Sequence, residues 1–163
     1  MKLKLSKKTY YALGAVAATL TLVSAVAAIA GMQLALLDNI TFGATGLMLL
    51  FLASVHGTPM GDKRSLFGVF LLLIGSMFFN VPLLQIVLVH LVWPCFAAYE
   101  KNRDEKMANP FKAVCLMEFL WMGLLIVATL GQVAPMQLPA NLAGAGAAGA
   151  RLWLSVSLYK REN

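Results

Sequence analysis

Two ionisable residues stand where an apolar solvent would surround them. Glu118 lies within the apolar run 111–133, and Arg151 lies within 141–159; among the 13 Lys and Arg residues, Arg151 alone sits deep in such a run. A charge at membrane depth costs at least ~2.5–3.5 kcal/mol on insertion scales unless it is satisfied. Counting along each run places both about two turns from the same surface, ~10–12 Å deep at 1.5 Å per residue. The runs are joined by a short turn, so they are expected to be antiparallel neighbours with Glu118 and Arg151 forming an intramembrane ion pair. On a helix, Gly144, Ala148, Arg151 and Ser155 fall on one face, and the small residues let the arginine point inward. The pair reads either as a lock between two helices or as a substrate or proton site.

His90 occupies the run 81–98 at a similar depth. It suits a proton or substrate site beside Glu118, since a His–Glu couple can pass protons, and it suits equally a packed histidine bonded to backbone. Pro94, one turn on, frees a carbonyl and bends its helix. Lys63 and Arg64, in the loop GTPMGDKRS, could contact a lipid headgroup or a phosphate. The loop lacks the spacing of a nucleotide-binding P-loop, so its charges serve equally to set orientation. A haem between His56 and His90 is disfavoured, because the two differ in depth by ~10 Å. Cys95 and Cys115 show neither CxxC nor Cys/His spacing, so no metal, disulfide framework or other cofactor is expected. No nucleophile elbow, paired carboxylates or metal-ligand helix motif supports catalysis, and the chain is read as more consistent with a non-enzyme.

These residues are carried by a chain of 163 residues that is 60% hydrophobic and 12% charged, with a formal charge of +6. A typical soluble domain is roughly 45–50% apolar and about 25% charged. So much apolar side chain has no room inside a soluble fold of this size, whereas a bilayer solvates it. The basic residues cluster in short segments between apolar runs, which fits membrane topology rather than nucleic-acid binding.

Six runs are expected to span, at about 11–32, 40–56, 66–79, 81–98, 111–133 and 141–159. The third would reach only ~22 Å, so 66–98 is read as a tight hairpin. Positive residues near spans favour the cytoplasm. Lys2 to Lys8, Lys63 and Arg64, Lys101 to Lys112, and Lys160 and Arg161 then all fall on one side, and the opposite turns hold no Lys or Arg. The expected fold is an all-α integral membrane protein: a single domain, a six-span helical bundle arranged as three antiparallel hairpins, both termini cytoplasmic, in a bacterial inner membrane. A signal peptide ending at SAVAAIAG is the rival for the first run, whose apolar stretch is longer than a usual signal core. The pairs Gly144/Ala148, Ala145/Gly149 and Gly14/Ala18 have the spacing that lets helices approach closely, within the bundle or against a partner membrane subunit or second copy.

Three functions fit this pattern. A non-catalytic subunit or accessory/assembly factor of a membrane complex ranks first, because polar residues within the spans are few. A small transporter or channel-like protein would use Glu118, Arg151 and His90. A lipid-modifying enzyme would need His56, Lys63 and Arg64 clustered at the inner interface.

Overall fold

The computed structural model describes residues 6–34, 36 and 108–162. The expected runs 40–56, 66–79 and 81–98, and with them His56, Lys63, Arg64 and His90, lie outside the described residues. The described part is helical and contains no strand: α1 (Lys7–Ile29), α2 (Ala108–Leu130), a single 3₁₀ turn (Ala134–Met136) and α3 (Gln137–Arg161).

The helix ends are set by local chemistry rather than by where apolarity begins. Helix α1 starts four residues before its apolar run. Ser6 is extended (φ −70°, ψ 153°) and its hydroxyl accepts the Thr9 amide at 3.2 Å. Such a cap is worth about 1 kcal/mol. The helix stops at Ile29, short of the expected Met32, because Gly31 takes a left-handed φ of 78°. The Met32 amide returns to the Ala27 carbonyl at 2.9 Å and the Gly31 amide to Ala28 at 3.1 Å, closing a Schellman motif. Within α1, Thr19 and Thr21 donate their hydroxyls to the carbonyls of Ala15 and Ala17, each at 2.8 Å, so neither needs water.

Helix α2 begins at Ala108, three residues before its apolar run. Asn109 and Pro110 both lie inside the first turn, where proline's missing N–H forfeits no helical bond. It ends at Leu130 instead of Val133, as Gln132 adopts φ 51° and breaks the ladder. Helix α3 starts at Gln137, four residues before its run, with Pro139 again in the first turn. Lys160 and Arg161 occupy its last turn, where cations offset the carbonyl end of the helix dipole.

Two stretches, Tyr11–Ile29 (19 residues) and Ala108–Leu130 (23 residues), are long and apolar enough to cross a membrane. Helix α3, taken from the sequence as a sixth span, meets the length at 25 residues, or about 37 Å. It is not among the helices apolar enough: its first half is largely alanine and glycine, and its middle carries Arg151.

Helix α3 packs against both α1 and α2, which make no contact with each other among the described residues. Its inward face is Ala140, Ala143/Gly144, Ala147/Ala148, Arg151, Leu154/Ser155 and Leu158, all buried, at alternating steps of three and four. On α2, Phe111, Val114, Glu118 and Met122 are buried at the same steps. On α1, Tyr11, Gly14 and Ala18 are buried. The expected close-packing pair Gly14/Ala18 is therefore inward-facing.

Candidate functional site

The site is built from two helices brought into antiparallel register by the 131–136 turn. Successive contacts run in opposite directions along α2 and α3. A Cβ added at Gly144 would lie 2.9 Å from Trp121 Nε1 and 3.1 Å from its Cδ1, and one at Gly146 would meet the terminal methyl of Met117. About two turns beyond Gly144 along α3, and one turn back from Trp121 along α2, Arg151 Nε stands 2.8 Å from Glu118 Oε1. Gly144 thus acts as a seat for the indole edge, and that seat lets the helix axes approach closely enough for Glu118 to reach Arg151.

Both charged side chains are closed off, at 2% exposure for Arg151 and 0% for Glu118. The arginine Nε–H is also 3.4 Å from the Ala147 carbonyl on its own helix. Its single hydrogen is therefore directed at the backbone acceptor, and the 2.8 Å contact with the carboxylate is one of Coulomb attraction. In a low-dielectric interior that attraction is strong, but removing two charges from water costs several kcal/mol each. The net stabilisation is small. The penalty for having one charge without the other is large.

Residues expected at the site are thus placed unevenly. Glu118 and Arg151 are together. Gly144, Ala148 and Ser155 are buried on the same face as Arg151. Ala145/Gly149, the second small-residue pair, is only half-buried, and a Cβ at Gly149 would touch nothing within 4 Å. Among the described residues no group of three or more His, Cys, Asp and Glu could hold a metal ion.

Two features escaped the sequence reading. Trp121 lies three residues after Glu118 and fills the hollow that the glycines of α3 leave. The available signal was the hollow itself, since consecutive small residues need a large partner. The second feature is a cross-helix cluster at the other end of α3. There the Lys8 ammonium lies 5.2 Å from the Tyr159 ring centroid, and Arg161 Nη2 donates to the Tyr11 hydroxyl at 3.4 Å. These contacts put the first turn of α1 beside the last turn of α3, so the two helices are antiparallel.

The class defined by this arrangement is an all-helical protein with two membrane-capable helices and a buried Glu–Arg pair on the seam of one helix pair. No protein-family model, no curated protein and no solved structure matches the chain.

Proposed function

We propose that the chain is a multi-pass protein of a bacterial inner membrane, six spans in three hairpins with both termini cytoplasmic, serving as a non-catalytic subunit or accessory/assembly factor of a membrane complex. The observation that carries this reading is the closure of the Glu118–Arg151 pair. A transport or proton site must be reached by water or substrate, whereas these side chains are 0% and 2% exposed and stand 2.8 Å apart as an ion pair. The pair then fixes which faces of α2 and α3 meet.

The outer surfaces agree with a bilayer. Leu116, Phe119, Leu120, Val127 and Leu130 form an exposed stripe along α2, with Leu116 at 70%. Water would penalise such a stripe, and lipid or a neighbouring helix would not.

Extraction in mild detergent, followed by mass spectrometry of everything that travels with the protein, tests the role. A partner membrane protein in fixed stoichiometry is the expected result. Recovery of the chain alone, with a water-soluble reagent labelling Cys introduced by Glu118→Cys, would transfer the assignment to transport, with Glu118, Arg151 and His90 as its site.

A further inference from the structure

The far end of α1 carries SAVAAIAG, a segment with the small-residue composition of a leader-peptide cut site. Two of its bonds follow a small-x-small triplet. Ala27–Ala28 comes after Ala25, Val26 and Ala27, and Ala30–Gly31 comes after Ala28, Ile29 and Ala30. Both lie at the end of the assembly opposite Lys8, Lys160 and Arg161, where residues 30–34 and 131–137 hold no Asp, Glu, Lys or Arg. In the membrane reading above this is the outer surface, the side on which a leader is severed from the chain it escorts.

The fold closes both bonds. Enzymes that read a peptide by its backbone take it as an extended strand. Ala27–Ala28 lies within α1, and Ala27 is buried. Ala30–Gly31 is exposed, but it sits in the turn that ends the helix. There the Ala30 amide donates to the Val26 carbonyl at 3.1 Å, the Gly31 amide to Ala28 at 3.1 Å and the Met32 amide to Ala27 at 2.9 Å. The carbonyls that a strand would have to turn outward are therefore engaged inside the turn. Helix α1 is also anchored. It packs along α3, with Tyr11, Ala17 and Ala18 buried. At its start the Tyr11 hydroxyl accepts from Arg161 Nη2 at 3.4 Å, and the Lys8 ammonium lies 5.2 Å from the Tyr159 ring centroid. A leader is discarded after use and has no need of such contacts with the protein it leaves.

We propose that SAVAAIAG is a leader-type processing site that the fold holds shut, so that α1 becomes a permanent part of the protein once it docks on α3. This rests on the membrane reading above. Cutting is hydrolysis by a membrane peptidase selective for small-x-small triplets. Water adds its hydroxyl to the carbonyl carbon of Ala27 or Ala30, the peptide bond breaks, and the remaining proton goes to the freed amine of Ala28 or Gly31. The bonds are open to that chemistry only in chains whose α1 is undocked or whose terminal turn has come undone. The site thereby sorts chains: assembled ones keep α1, and unassembled ones lose it.

The test is pulse-chase labelling of the full chain in bacterial membranes, with gel sizing and N-terminal sequencing of any shorter product. Wild-type protein should remain overwhelmingly full length. Gly31→Val places a β-branched residue at φ 78°, where its side chain would meet nothing within 4 Å, so it strains the turn alone. The shorter product should then form about ten-fold faster. Tyr11→Ala leaves the cut-site sequence intact and removes the buried ring that Arg161 holds; it should speed cutting about a hundred-fold. In the Gly31→Val chain, Ala25→Leu and Ala28→Leu together should restore full length, since no small-x-small triplet then precedes either bond. A wild-type chain that already begins at Ala28 or Gly31 would overturn the closure. So would an unchanged rate in Gly31→Val or Tyr11→Ala, and so would cutting that survives the paired Ala25→Leu and Ala28→Leu change. In each of these cases a protein that still needs detergent for extraction leaves the membrane reading intact. A chain that stays in aqueous solution without detergent would overturn both.

Discussion

Glu118→Leu should destabilise the folded protein by about 3–5 kcal/mol, and adding Arg151→Leu should return most of that loss. The expectation follows from what each variant leaves behind. The single change strands a guanidinium that is 1% exposed in an interior without its counter-charge. The double change removes both desolvation costs and replaces the pair with apolar side chains, which in other buried pairs is neutral or stabilising by about 1–4 kcal/mol. Arg151→Leu alone should cost less than Glu118→Leu, because a stranded carboxyl can take up a proton and lose its charge, whereas a guanidinium keeps its own. Unfolding of purified protein in mixed micelles, run as a double-mutant cycle, measures the coupling. Additive costs would mean that the two residues do not interact in the folded protein.

Gly144→Val should cost about 1–3 kcal/mol by overpacking, and Trp121→Ala in the same chain should relieve part of that cost. Even the first added carbon would approach Trp121 Nε1 to 2.9 Å. A rigid indole cannot yield as a flexible chain end does, so the helices must part, and the Glu118–Arg151 distance must grow with them. Gly146→Ala is the contrasting case. Its new methyl would meet only the tip of Met117, which can rotate away. Gly149→Ala would meet nothing within 4 Å and should be neutral or mildly stabilising, since alanine is the better helix former. The same stability measurement ranks the three, and a Gly144→Val protein as stable as wild type would discount the indole seat.

The ion pair was legible because charges are rare in apolar runs. Two of them at matching depth, on runs joined by a short turn, have few ways to avoid each other. The face Gly144, Ala148, Arg151, Ser155 followed from helical periodicity alone. The α1–α3 seam was not legible. It is made chiefly of alanine and glycine, whose spacing marks close approach but names no partner, and about 100 residues separate the two helices. Spacing also could not rank Gly144/Ala148 above Ala145/Gly149, although only the first pair is fully inside. The C-terminal limits of α1 and α2 were each misjudged by three residues for a simpler reason. Apolarity continues through Gly31 and through Gly131–Gln132, and it is the left-handed backbone there, not the loss of hydrophobicity, that ends the helix.

The shortfall in the apolarity of α3 bears on how the chain is assembled during synthesis. In the bilayer proposed above, α3 emerges from the ribosome after α2, with an arginine at its middle that the insertion machinery would reject in a helix so rich in alanine and glycine. Helix α2 precedes it and already holds a carboxylate at the height where that arginine must come to rest. Neutralised by its neighbour, α3 enters as the second half of a pair and not as an independent passenger. Glycosylation mapping of truncated chains should therefore find α3 left behind whenever Glu118 is replaced by leucine; unimpaired crossing would show that the helix needs no escort.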